Sequence, residues 1–241
     1  MDNPETFIYL ILFLGFCIYS TLKWYRNKEI QDLKAVDLKI LAAENDLHFS
    51  EREANYRNKL ERFDLQPGSY FKMKNILKSY DEEAAIRVFD ASHIVGSGKS
   101  SRRIELVGIS VESSKLRLPY FMLKSKVAFD GFKLFTGLNK VEAYSLPKSL
   151  QDKYSLLYSK NEDLIRVQNL FAELNQLSEL LDVSGFHLFA GSKDKLVFYQ
   201  NGVIRADLSH FKHLEQKGHQ LFDMFRIDSD FMKKIDKLKK S

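Results

Sequence analysis

The chain has 241 residues, 37 Lys and Arg against 32 Asp and Glu, a net charge of +5, and 44% hydrophobic residues. Nineteen Phe and eleven Tyr describe a packed body rather than a disordered tail, and a single cysteine excludes any disulfide within the chain. Basic and aromatic residues do not interleave on a recognisable platform, so no nucleic-acid partner is expected.

The first predicted element is a transmembrane anchor over residues 1–28. Asp2 and Glu5 lead into an apolar run that includes Phe7, Leu10, Leu12, Leu14, Phe16 and Ile18, and Lys23, Trp24, Tyr25, Arg26 and Lys28 close it. At about 1.5 Å per helical residue the run roughly crosses a hydrocarbon core of about 30 Å, if Trp24 and Tyr25 sit in the interface and Lys23 snorkels. A secretory signal peptide wants a basic start and a small-residue cleavage site, and neither is present. A lipoprotein wants a small residue before the cysteine, but Phe16 precedes Cys17. No Lys or Arg precedes the run and several follow it. The positive-inside rule therefore places the N-terminus outside and the C-terminal domain in the cytoplasm, at the inner membrane.

A juxtamembrane helix is expected next, within residues 29–50, with Ile30, Leu33, Ile40 and Leu41 at helical spacing. No Pro or Gly separates it from the anchor, so one continuous rod is expected. A first β-containing block covers 51–140. Its opening stretch to Tyr80 reads as polar and irregular around Gln66-Pro67-Gly68-Ser69. Ala85 to Ile94 and Arg103 to Val111 then alternate as a hairpin, and Leu118 to Leu123 reads as a third strand. Phe129 to Phe135 reads as an aromatic connector.

The second block, 141–228, is expected to hold a strand at Tyr154–Tyr158 and a helix capped by Asn161, with a stripe from Leu164 to Leu181. A hairpin turning at Gly191-Ser192-Lys193-Asp194 and a final helix from Asp207 to Phe225 follow. Residues 229–241 form a basic tail with Lys233, Lys234 and Lys237. The order predicts an α+β cytoplasmic domain of antiparallel hairpins packed with two or three helices, not a doubly wound nucleotide fold.

Chemistry is sparse. Gly96-Ser97-Gly98-Lys99-Ser100 ends like a phosphate loop, but His93 stands where the first glycine is required and a strand pattern follows instead of a helix. Asp207, His210, His213 and His219 offer a metal-dependent hydrolase as the least favoured reading, since they flank the apolar stripe and no carboxylate cluster completes a site. No nucleophile elbow is present, and no cofactor is expected. The candidate interaction surface is the basic hairpin tip, Lys99, Arg102 and Arg103, together with the Lys233, Lys234 and Lys237 end. Such clusters either meet acidic lipid or protein or are simply solvated.

Leu41-Ala42-Ala43-Glu44-Asn45-Asp46-Leu47-His48-Phe49, Asn75-Ile76-Leu77-Lys78-Ser79, Leu118-Pro119-Tyr120-Phe121-Met122-Leu123 and Tyr154-Ser155-Leu156-Leu157-Tyr158 follow the anchor in order. Together they resemble a family of bacterial single-pass, membrane-anchored proteins of unknown function with a cytoplasmic α+β domain. The family's usual glycine is Ser79 here, and Ser125 stands where a second proline often follows. The resemblance implies the architecture and no catalytic residues. The expected function is a protein-binding or scaffolding module held at the bilayer, with recognition of anionic lipid as the alternative.

Overall fold

A computed structural model describes residues 4–62, 70–95, 98, 101–126, 138–140, 146, 148–159, 164–172 and 186–238. The protein is α+β. Helix α1 spans Pro4–Glu44, followed by strand β1 (His48–Ser50), helix α2 (Ala54–Arg62) and strands β2 (Lys72–Tyr80), β3 (Ala85–Val95), β4 (Arg102–Glu112) and β5 (Leu118–Ser125). Then come β6 (Leu138–Lys140), the short α3 (Lys148–Gln151), β7 (Tyr154–Ser159), α4 (Leu164–Ala172), β8 (Phe186–Lys193), β9 (Lys195–Asn201) and α5 (Leu208–Leu238).

Among the described residues the strands form one nine-stranded sheet in the order β1-β2-β3-β4-β9-β8-β5-β7-β6, and every neighbouring pair is antiparallel. The two β-containing blocks interleave: β4 meets β9 from Leu106↔Asn201 to Glu112↔Lys195, β5 lies between β8 and β7, and β6 pairs with β7. The blocks therefore share a sheet.

Several elements differ from expectation. The rod is continuous as anticipated, but its helix stops at Glu44, and His48–Ser50 pairs with β2 as an edge strand. The stretch expected to be irregular before Tyr80 contains α2 and β2. Strand β2 hides from a period-two reading because a bulge at Asn75, with φ of 53°, shifts the register between Lys74 and Leu77. Pro119 enters β5 where its pairing with β8 is likewise shifted, so the missing N–H breaks no regular ladder. Gly191 is not a turn residue. It lies inside β8, and a Cβ there would come within 2.5 Å of the Phe121 ring. The turn itself is Lys193-Asp194, with Lys193 at φ of 55°. Helix α5 continues past Phe225 to Leu238, so much of the expected tail has helical backbone. The aromatic connector and the Asn161 cap lie outside the described residues, as does the far end of the helix expected to reach Leu181.

Both faces of the sheet are covered. On one, Ile86, Val88, Val107, Ile109, Phe121, Phe189 and Phe198 pack with Leu38 of α1, Phe171 of α4, and Phe211, Leu214, Leu221 and Phe225 of α5. On the other, Met73, Ile76, Phe89, Leu106, Met122, Val197 and Tyr199 pack with Tyr56 and Leu60 of α2.

Candidate membrane-facing surface and polar cleft

Helix α1 divides at about Gln31. Before it, Leu12, Leu14, Phe16, Ile18, Leu22 and Trp24 are all exposed, with Leu12 at 64% and Phe16 at 67%. The side chains of Phe7 and Leu10 lie outside the described residues. Among the described residues, no helix is long and apolar enough to cross a membrane. After Gln31 the helix docks. Gln31 accepts a hydrogen bond from Lys74, Leu38 and Ala42 enter the core, and Leu41 packs at its rim.

The docking is locked by Asp90. This carboxylate on β3 is 1% exposed and faces the helices. It accepts hydrogen bonds from Lys34 Nζ at 2.6 Å, Asn75 Nδ2 at 2.8 Å and the Ile204 amide at 2.8 Å. A buried charge is stable only when paired and fully hydrogen-bonded, and these three donors do that. The Asn75 bulge aims its amide at Asp90; asparagine tolerates the positive φ this needs. One acid thus ties α1, β2 and the segment after β9 to β3.

The successive contacts set a direction. Gln31 meets Lys74, Lys34 meets Asp90, and Leu38 and Ala42 join the cluster with Leu77 and Val88. So α1 runs alongside β2 in the same sense, and its free half leaves the domain at the end where β3 finishes and β4 begins. At that end the β3–β4 hairpin outruns its neighbours. Pairing with β2 ends at Ser92, and contact with the β9 side ends where the Gly202 amide meets the Glu105 carbonyl at 3.4 Å. His93↔Ile104, Ile94↔Arg103 and Val95↔Arg102 pair only with each other.

Arg102 and Arg103 are exposed on this projection, while Lys99 lies outside the described residues. Helix α5 starts at the same end, capped by the Asp207 carboxylate, which accepts from the Ser209 amide at 3.0 Å. It passes over Ile86 and Ile109 at Gly218 and reaches the opposite end, where Arg226 pairs with Glu83. The helical backbone carrying Lys233, Lys234 and Lys237 continues beyond that point. Among the described residues, Arg102 and Arg103 lie at one end of the sheet and the backbone of α5 runs past the other.

A second feature, which sequence reading missed, lies under α2. Arg52, Glu53, Ala54, Asn55, Tyr56, Lys59 and Arg87 line a shallow cleft of about 450 Å³. The buried Arg87 guanidinium lies 3.9 Å over the Tyr56 ring, with Nη1 2.9 Å from Glu112 Oε2 and Nε 3.6 Å from Glu53. Lys195 reaches Glu112 at 3.2 Å and Asp194 at 2.6 Å. Burial works against the charged form of Glu112, but the charge and hydrogen bond of Lys195, with Arg87 and Lys59, outweigh it and hold the carboxyl below its usual value.

Burial pushes the Tyr56 phenol up to about 12. Its hydroxyl lies beside that of Ser110. Those two oxygens and the Tyr199 hydroxyl are buried without a hydrogen bond of normal geometry.

The histidines are dispersed along α5. His219 Nδ1 sits 3.9 Å from Asp81, and burial, with the Arg205 charge, lowers the pKa of His210. Among the described residues no group of three or more His, Cys, Asp or Glu converges as metal ligands.

A solved structure shares the arrangement. The mycobacterial trehalose monomycolate transport factor A, TtfA, is similar over 80% of this chain and 94% of that chain, with a TM-score of 0.53 and 8% identity. At that identity the likeness is one of fold alone. No family model matches the chain, and no curated protein matches it.

Proposed function

We propose that this protein is a single-pass, membrane-tethered binding module, with the free half of α1 in the bilayer and the α+β domain held on the cytoplasmic side to engage a protein partner. The observation that carries the reading is the first half of α1. Bulky apolar side chains point outward all around it and pack on nothing in the domain. In water a helix of that kind exposes far more contiguous apolar surface than soluble proteins tolerate; in lipid it needs no partner, since its backbone is satisfied internally. From Phe7 to Tyr25 the sequence carries no charge but Lys23, and at about 1.5 Å per residue that stretch comes close to a hydrocarbon core of about 30 Å. Trp24 and Tyr25, with Lys23, Arg26 and Lys28, supply the interfacial and positive-inside signals.

The binding role is supported by what surrounds the sheet. Arg87, Glu112 and Lys195 form ion pairs that brace the exposed cleft under α2, leaving a preformed polar surface beside Lys59. The fold is shared with a protein named as a transport factor, which fits a module that holds or passes on another molecule. The full chain should stay with membranes through alkaline carbonate washing, and crosslinking in membranes should return a reproducible partner. Release into the carbonate supernatant would sink the tether, and repeated failure to capture a partner would sink the binding role.

A further inference from the structure

We propose that the β3–β4 hairpin is a second membrane contact, an arm whose Arg102 and Arg103 bind anionic headgroups of the bilayer that holds α1. The proposal rests on the tether reading and deepens it.

Three observations converge. The first is reach. Lys34 and Asp90 mark one level, because they are in contact. From Lys34 back to Trp24 the helix climbs about 15 Å at about 1.5 Å per residue. From Asp90 to Val95 the strand climbs about 16 Å at about 3.3 Å per residue. Both climb toward the same end of the sheet, so the hairpin ends near the depth where Trp24 would sit in the interface.

The second is charge. No Asp or Glu occurs between Asp90 and Glu105, while Lys99, Arg102 and Arg103 do. Among the described residues neither arginine makes an ion pair. By contrast Arg87 is paired with Glu112 and Arg226 with Glu83. The third is shape. Past its paired neighbours the hairpin is a two-stranded projection, with the His93 and Ile104 face packed on the domain and the Ile94 and Arg103 face less covered. A bilayer interface that takes the half-buried Ile94 beside the Arg103 guanidinium, its cross-strand neighbour, would cover that face.

The test uses the full chain with Cys17→Ser and Ser101→Cys, carrying an environment-sensitive fluorophore at residue 101. The protein is reconstituted into phosphatidylcholine vesicles with or without phosphatidylglycerol. Trp24, the only tryptophan, reports insertion of α1 through quenching by brominated lipid. The label at 101 reports the arm through a headgroup-region quencher. Both should be quenched in phosphatidylglycerol vesicles, and the label at 101 should be released without that lipid or at high salt.

Arg102→Glu with Arg103→Glu should abolish quenching at 101 while Trp24 stays quenched. Arg103→Gln alone should lower arm occupancy about fivefold. Quenching at Trp24 with none at 101 would overturn the arm and leave the tether intact. Equal quenching at 101 in both lipids would overturn its electrostatic basis. No quenching at Trp24 would overturn the tether, and the arm with it.

Discussion

The aromatic centre under α5 and the charged floor beside α2 are stabilised by different chemistry, although the first face also carries the buried Asp90–Lys34 pair and the second its own apolar cluster. Under α5, rings of Phe121, Phe171, Phe189 and Phe225 contact one another at centroid distances of 5.0–6.5 Å, with no charged group among them. Under α2, the corresponding space holds Arg87, Glu112 and Lys195, along with tyrosine and serine hydroxyls. The apolar face gains from every methylene removed from water. The polar face must offset the dehydration of its charges before it gains anything. We read the aromatic centre as the larger source of stability and the Arg87, Glu112 and Lys195 group as a polar floor beneath the cleft, beside the apolar cluster of that face.

Substitutions on each face can break that contrast. The largest loss is expected from Phe225→Ala, about 3–5 kcal/mol in denaturant unfolding, because it empties the centre of the aromatic cluster. A matched pair sharpens the comparison. In Gly191→Ala the new methyl meets the Phe121 ring, and in Gly108→Ala it meets the Phe89 ring at 2.3 Å. Each should cost about 1–3 kcal/mol, with Gly191→Ala the greater because Phe121 is wedged among other rings. Equal losses would mean that the polar face is packed as tightly as the apolar one.

Acid provides the third test. The folded Glu112 carboxyl is held below its unfolded value of about 4.3, so its contribution is present above that pH and fades as pH falls through the folded value. Glu112→Gln should therefore lower stability at neutral pH and flatten the decline below about pH 4, as read from thermal midpoints across pH. A parallel decline in both proteins would remove Glu112 from the account.

The smallest effect belongs to Tyr56→Phe. Its hydroxyl has no well-formed hydrogen bond to lose, so neutral-pH stability should change by no more than about 0.5 kcal/mol. The folded phenol titrates near 12 against about 10 unfolded. Its neutral form therefore favours the fold below about 10, and that contribution is lost as pH rises through the folded value. The phenylalanine variant should be less sensitive to alkali. A loss of several kcal/mol at neutral pH would show that the hydroxyl is a structural anchor after all.

What could be read in advance followed from how regular each segment is. The β3–β4 hairpin was legible because its alternation runs unbroken, whereas one bulged asparagine concealed β2. Gly191 misled because a glycine that makes room for a ring across the strand looks, in one dimension, like a turn. The Asp90 lock leaves one signal in the sequence: an acid at the same alternating position as Ile86 and Val88, on the face of β3 that is otherwise apolar there. Its donors come from residues 34, 75 and 204, and only the fold brings them together. The Arg87–Glu112 pair is diagonal across β3 and β4, so it could be found only once the register was known. The basic residues were visible throughout, but how far α5 extends was not.

The unbroken backbone of α1 from its lipid-seeking half into the Asp90 lock has a further effect. A rigid helix transmits azimuth as well as height. Inserting one residue between Tyr25 and Gln31 would lift the domain by only about 1.5 Å but swing it by about 100° around the helix axis. On the tether reading, the cleft under α2 would therefore keep one fixed bearing relative to the exposed apolar side chains of α1, whichever way the whole protein turns.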